Sequence, residues 1–307
     1  MAVDVLQASI ECFGLQVFLF CFHILARYRR QMLHDEFPQF ADFPNLGRTL
    51  RLGLATRGNT SLECEDVLFA VERGVNYLNW CGHPDGMQEA IRQLGPRRKN
   101  LFIAIQFSAR TATAARQELA AVLTALSTDY IDVATYYYVE HQQEWDEITA
   151  PGGAAEVLES ARDAGTVRAI GLTSHQRKLA AACAETGRLN MLMVRYNAAH
   201  RGAEQDIFPT TTSLQLPVVV FTCLRWGALM QNTADDPEGF VAPPAAEWYR
   251  FALCHPAVTV ALMAPDGREE LDQNLQLLED WRGFTPDQYA QLKEHGARVR
   301  QHGGQFP

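Results

Sequence analysis

From residue 48 onward, short apolar runs alternate with amphipathic segments in a regular order. Runs of strand length occupy residues 50–55, 75–79, 101–106, 130–136, 167–172, 191–196, 217–222 and 257–262. Helical spacing of apolar positions fills the gaps near 61–73, 86–94, 112–126, 152–164, 175–186, 203–213 and 245–253, then 268–280 and 285–298. Near-continuous apolar strands separated by helices predict a parallel sheet covered by helices. Eight such units over this length match an α/β (β/α)8 TIM barrel, a fold that uses about 250 residues. Gly74, Gly165 and Gly187 sit where helices must stop before strands two, five and six. A doubly wound sheet is the alternative fold. It wants a glycine-rich phosphate turn after the first strand, and Arg57-Gly58-Asn59-Thr60 is no such turn.

Residues 1–47 break the pattern. The stretch 13–26 reads FGLQVFLFCFHILA and is followed by Arg27-Tyr28-Arg29-Arg30. It is short of the roughly 20 apolar residues that span a bilayer. Asp4 and Glu11 precede it and the arginines follow, the reverse of a secretory signal. It reads as a helix packed on the main domain or a poorly ordered extension; the sharper reading is a membrane-associated anchor with its arginines at the headgroups. Residues 31–47, with Pro38 and Pro44, read as a linker. The expected organisation is therefore an extension and linker over 1–47 and a barrel over 48–307.

Composition narrows the function classes. The 307 residues are 47% hydrophobic and 21% charged, which excludes a disordered chain. A net charge of −9 argues against a nucleic-acid partner. The seven cysteines contain no C-x-x-C pair, so they read as reduced thiols in a cytoplasmic setting. Three of the 27 basic residues are lysines, Lys99, Lys178 and Lys293, and none ends an apolar strand. Schiff-base chemistry is thereby disfavoured.

Several strand ends resemble the aldo-keto reductases. Gly165-Thr166-Val167-Arg168-Ala169-Ile170-Gly171-Leu172-Thr173-Ser174 resembles that family's G-K-V-R-x-I-G-V-S-N. Gly74-Val75-Asn76-Tyr77-Leu78-Asn79 resembles G-x-N-x-x-D, and Tyr130-Ile131-Asp132 the D-Y-I-D of its fourth strand. Arg195-Tyr196-Asn197 with Arg201 and Glu204 resembles Y-N…R…E, and Leu224-Arg225-Trp226-Gly227-Ala228-Leu229 the P-L-x-x-G-x-L cofactor loop. The resemblance runs over about residues 48–298 and implies a barrel binding NADP(H) or NAD(H) across its mouth. It implies hydride transfer to an aldehyde or ketone by an Asp, Tyr, Lys, His tetrad. Here those positions hold Asn79, a residue at or beside Pro84, Gln106 and Tyr137. No lysine remains to depress a tyrosine pKa and no aspartate to hold that lysine. By the same resemblance, Thr173 and Ser174 stand where the nicotinamide amide is gripped, Met193 replaces a glutamine, and Phe221 stacks on the nicotinamide. Gly227 and Arg225 belong to the diphosphate loop. The 2′-phosphate clamp aligns with Ala264, Pro265 and Glu270, and an acidic Glu270 disfavours a phosphate.

The residues offer their own candidates. Tyr137 ends an apolar strand and points inward, either as proton donor or as packing; Tyr136 and Tyr138 have the opposite parity and read as outward. Asn79 and Gln106 are expected as a neutral hydrogen-bonded pair. His83, beside Asp85, is the best replacement acid–base group, or else an exposed loop histidine. Cys81 is a reactive or a packed thiol. His175 reads as a helix N-terminal residue. Arg195, His200 and Arg201 form an anion clamp, or Arg201 a salt bridge to Glu204. Trp80 and Trp226 line a substrate pocket or pack. His83, His175 and His200 lack metal-ligand spacing, so no metal is expected. Three functions follow: a divergent NAD(P)-linked oxidoreductase acting on a small molecule; a non-catalytic barrel, a pseudoenzyme, that binds a nucleotide or small ligand as a sensor; and a non-redox enzyme reusing the mouth.

Overall fold

The alternation of inward and outward side chains dictates the architecture seen in the computed structural model, which describes residues 38–56 and 60–303. The expected anchor and residues 31–37 of the expected linker lie outside the described residues. Eight parallel strands close a barrel: β3 (Leu52–Ala55), β4 (Tyr77–Trp80), β5 (Phe102–Phe107), β6 (Ile131–Tyr136), β7 (Val167–Thr173), β8 (Met191–Arg195), β9 (Val218–Phe221) and β10 (Val260–Met263). β10 pairs back onto β3, with Ala261 opposite Leu52. This is the TIM barrel that the periodicity predicts.

Two short strands precede it, β1 (Phe40–Phe43) and β2 (Gly47–Leu50), paired antiparallel with Phe43 opposite Gly47. The linker expected up to residue 47 is thus, from Phe40, one arm of a hairpin. Phe43 and Leu46 join the barrel's inner cluster with Tyr77, Phe102, Ala104 and Val133, and Phe43 stacks on Tyr77 at 6.2 Å. Asn45, at φ 65°, makes the tight turn, and Arg168 donates to the carbonyls of Asn45 and Leu46. The hairpin therefore plugs the end of the barrel opposite the strand C-termini. Pro38 and Pro44 flank this strand, which is why they suggest a linker in the sequence.

The helices follow the expected order: α1 (Cys64–Glu72), α2 (Gly86–Gln93), α3 (Ala112–Leu126), α4 (Gln142–Thr149), α5 (Ala154–Asp163), α6 (Arg177–Glu185), α7 (Ala203–Asp206), α8 (Phe208–Ser213), α9 (Ala245–Leu253), α10 (Gly267–Leu275) and α11 (Pro286–His302). The segment 203–213 breaks in two at Ile207, ahead of Pro209. α4 has no counterpart in the sequence pattern, because only Trp145 and Ile148 of its eight residues are buried. At Gly171 a Cβ would lie 2.2 Å from Met191 Sδ, so the Met191 side chain occupies the space beside this glycine.

The wall carries a buried charge cluster. Asp132, fully buried, meets Arg98 at 2.7 Å and Arg168 at 2.8 Å, and also accepts from the Ile103 amide. Among the described residues the cysteines Cys64, Cys81, Cys183, Cys223 and Cys254 are free thiols. No described helix is long and apolar enough to cross a membrane. If the hairpin is a plug, Phe43→Ala empties the base of the barrel and costs about 3–5 kcal/mol. Urea denaturation measures this; a loss within about 0.5 kcal/mol would mean that the hairpin merely rests on the barrel.

Candidate functional site

At the C-terminal ends of the strands lies a cleft of about 540 Å³. Asn79, Gln106, Thr173, Met193, Arg195 and Phe221 form its floor and walls, with Tyr137 just beyond β6. A second cavity of about 410 Å³ adjoins it between the 81–83 loop and α3. Cys81, Gln106 and Tyr137 border both.

Parallel register sets the floor. Asn79 lies opposite Ala104, and Gln106 opposite Thr135, one full pleat further up. The expected Asn79–Gln106 hydrogen bond is therefore not made. Asn79 is fully buried and donates instead to Cys81 Sγ at 3.6 Å, while its Oδ1 has no hydrogen-bond partner among the described residues. Thr173 Oγ1 is likewise buried and unsatisfied among the described residues. Buried polar atoms are rarely left so unless a ligand or water meets them. Ser174 is also buried, but its Oγ accepts from the Gln176 amide at 3.0 Å and lies behind the lining.

One side of the mouth is aromatic. Tyr136 packs outward on Trp145, as its parity predicts. Tyr138 does not: a left-handed φ of 46° turns it back to the cleft, where it stacks on Tyr137 at 4.0 Å and meets the His175 ring at a tilt, 4.6 Å away. His175 in turn meets Phe221 edge-on at 6.1 Å. Arg110 fixes this turn by donating to the carbonyls of Tyr137 and Tyr138 and pairing with Glu144 at 3.1 Å. That arginine and the backbone amides of Glu140 and His141 hold the Glu144 carboxyl below its usual range against its desolvation.

The basic side is rearranged relative to the sequence reading. Arg195, half-buried, borders the cleft and lies over the Trp226 ring at 5.9 Å. Trp226, 63% exposed, forms the rim. Arg225 points away: it donates to the carbonyls of Val299 at 2.6 Å and Gly303 at 3.1 Å, tying the 222–227 loop to the end of α11. It is thus not among the residues available to a diphosphate. His200 is also outside the cleft lining, against Asn197. Desolvation, then Arg225, Arg195, Arg300 and Arg177, push its pKa down to about 4, so it is neutral at pH 7 and no cationic clamp. Arg201 meets Glu204 at 3.8 Å, and Glu204 accepts from the Tyr196 hydroxyl, a structural arrangement.

His83 is exposed and borders the smaller cavity, not the main cleft. Asp85 does not orient it, because its carboxylate caps α2 through the Gln88 amide. Trp80 is buried, donates to the His83 carbonyl at 2.8 Å and borders the smaller cavity with one edge. At the far end of the main cleft stand two carboxylates, Asp266 and Glu270. Asp266 accepts from the Ser61 amide and Glu270 from the Asp266 amide. No described group of three or more ligating side chains is arranged for a metal.

A closed parallel barrel with a cleft at its strand C-termini has the layout of a TIM-barrel enzyme. The model of the aldo/keto reductase family matches residues 51–244, and the chain belongs to that family. An NADH-specific methylglyoxal reductase of Escherichia coli (strain K12) is 24% identical over 168 residues, 54% of this chain and 45% of that protein. The match thus spans less than half of that relative. An aldo/keto reductase from Klebsiella pneumoniae, solved with NADP and acetate, superposes with a TM-score of 0.70 at 18% identity, covering 85% of this chain and 96% of that one. An aldo-keto reductase from Bacillus halodurans in its holo form gives 0.63 at 18% identity, covering 87% and 96%. At these identities the likeness is one of fold.

The charge distribution around His200 is testable directly. Its ring is expected to titrate in the folded protein at about 4, against about 6.5 for an unperturbed imidazole. A folded pKa below the unfolded one stabilises the native state above about pH 6.5 and loses that contribution as pH falls toward 4. NMR titration of the imidazole carbon-bound protons, assigned with His200→Gln, measures it; a midpoint above 6 contradicts the arrangement.

Proposed function

We propose that the mouth cleft binds a nicotinamide dinucleotide, NAD(H) in preference to NADP(H), and that the chain is a divergent oxidoreductase for a small carbonyl compound or alcohol. The observation that carries this is the pair of buried, unsatisfied atoms at the cleft floor, Thr173 Oγ1 and Asn79 Oδ1. They supply a donor–acceptor hydroxyl and an acceptor to a polar group such as a carboxamide. Phe221 beside them offers an aromatic face. The 222–227 loop, left-handed at Thr222, Arg225, Trp226 and Gly227, curves along the cleft, and Arg195 is the one permanent cation among its described lining residues. Both suit a diphosphate. Asp266 and Glu270 at the other end suit ribose hydroxyls and repel a 2′-phosphate.

A bound reduced nicotinamide supplies a hydride. The chain's own residues then position the carbonyl: the Tyr137 hydroxyl and the Gln106 amide, at the junction of the two cavities, are the hydrogen-bonding groups that can orient its oxygen. The smaller cavity, bordered by Trp80, Cys81, His83 and Glu118, takes the rest of the substrate. Asn79 and Gln106 are neutral amides, which favours a second reading: a nucleotide-binding barrel without turnover.

Tryptophan fluorescence tests the binding reading, because Trp226 stands at the rim. NADH is expected to quench saturably and to bind at least about tenfold more tightly than NADPH, a difference of about 1.4 kcal/mol. Glu270→Gln narrows that ratio. Equal or tighter binding of NADPH overturns the cofactor choice, and binding of neither overturns the whole reading. Turnover across a carbonyl panel that includes methylglyoxal then separates the oxidoreductase from the non-catalytic barrel.

A further inference from the structure

We propose that the smaller cavity is a cation-selective substrate pocket in which Glu118 receives an ammonium group. The preferred substrate is then a short aminoketone or aminoaldehyde, or the matching amino alcohol in the oxidation direction. The proposal rests on the oxidoreductase reading above for where the carbonyl sits, and adds the class of compound that carries it.

The cavity of about 410 Å³ lies between the 80–83 loop, the end of β5 with Ser108 beyond it, and one face of α3. That face is apolar and small, Ala121, Val122 and Ala125, except for Glu118 one turn earlier. Among the described lining residues Glu118 is the one carboxylate, and no lysine or arginine stands beside it. The acidic pair of the main cleft, Asp266 and Glu270, is not in this lining.

Glu118 is held in place without being neutralised. Its Oε1 accepts the Ser108 amide at 2.8 Å and its Oε2 the Ala109 amide at 2.7 Å. No cationic side chain among the described residues pairs with it. A carboxylate has about four acceptor sites, so two amides leave room for a ligand donor on each oxygen. The negative charge is thus fixed, half-buried and turned to a cavity whose other wall is apolar. An ammonium is attracted to such a pocket and a carboxylate is repelled.

The reach is set by β5. Ser108 follows Gln106 by two residues, and an extended chain advances about 3.3 Å per residue. The amide that fixes Glu118 therefore lies roughly 6–7 Å beyond Gln106. Gln106 borders both cavities and is one of the groups assigned to the carbonyl oxygen. A carbonyl compound held there brings an ammonium to Glu118 when the nitrogen is two or three carbons away.

Glu118 also braces the turn after β5, and the test separates that role from selectivity. Three ketones of one skeleton are compared with the full-length chain and NADH: 4-aminobutan-2-one, 4-hydroxybutan-2-one and acetoacetate. The assays run at pH 8, where an ordinary imidazole such as that of exposed His83 is neutral. The amine is expected to exceed the alcohol by at least about tenfold in kcat/KM, and the alcohol to exceed acetoacetate. Glu118→Gln, which keeps an acceptor for one of the two amides, should bring the amine within about threefold of the alcohol. Loss of the brace alone would lower all three together and leave their ratio unchanged, which overturns the proposal. A second readout needs neither nucleotide nor turnover. n-Propylammonium is expected to shift the His83 ring resonances saturably, assigned with His83→Gln, while propionate is not. Glu118→Gln should weaken that ammonium binding by at least about fivefold. Equal use of the amine and the alcohol by the parent, or His83 resonances unmoved by n-propylammonium, overturns the cation pocket and leaves the nucleotide reading standing. Absence of NADH quenching overturns the oxidoreductase reading and the substrate with it, and the n-propylammonium titration still decides the cation site.

Discussion

A ring of eight strands encloses a space that its own side chains must fill, and that constraint governs this molecule. Each strand turns alternate residues inward. At the base, Phe43 and Leu46 of the hairpin close the opening over Tyr77 and Phe102. In the middle, Met191 occupies the room that Gly171 leaves. At the top, the inward positions include Asn79, Gln106, Thr135 and Thr173, too small or too polar to fill the mouth. The cleft is what remains when packing stops one layer below the rim. The residues that border it follow from the strand register.

The same constraint explains why the floor is neutral as a set. A carboxylate at position 79 would be wholly buried, and a lone buried charge costs several kcal/mol. Loss of a lysine at position 106 alone would strand such a charge; amides at both positions avoid it. What remains is a milder imbalance: among the described residues, buried oxygens on Asn79, Thr135 and Thr173 have no hydrogen-bond partner. Ionisable groups stand around the floor instead, where water reaches them: Glu118 at the smaller cavity, Asp266 and Glu270 at the far end.

The fold was legible in the sequence because it rests on local periodicity. Strand and helix positions came within a few residues, and the misses have physical causes. The hairpin before residue 48 is held by contacts to Tyr77 and Arg168, which no local pattern displays. Parity assigned Tyr137 inward and Tyr136 outward correctly, but it presumes an extended chain; at Tyr138 the backbone goes left-handed and the rule reverses. Arg225 looked like a ligand for phosphate because its partner carbonyls, at Val299 and Gly303, lie more than 70 residues away. Glu118 was unremarkable as one more polar position on α3, and only its contacts to the Ser108 and Ala109 amides set it at the cavity.

The mouth is costly to hold in shape. Tyr138, Thr222, Arg225 and Trp226 all adopt left-handed backbone without being glycine, at on the order of 1–3 kcal/mol each. Two arginines oppose that strain in the same manner on opposite sides of the cleft. Arg110 binds the carbonyls of Tyr137 and Tyr138; Arg225 binds the last carbonyls of α11, which needs a positive partner at its C-terminus. A guanidinium so engaged holds a loop still but has little left for a ligand. That division of labour leaves Arg195 facing the cleft, opposite the acidic pair at the far end, so any dipolar ligand meets a cleft that already has a direction.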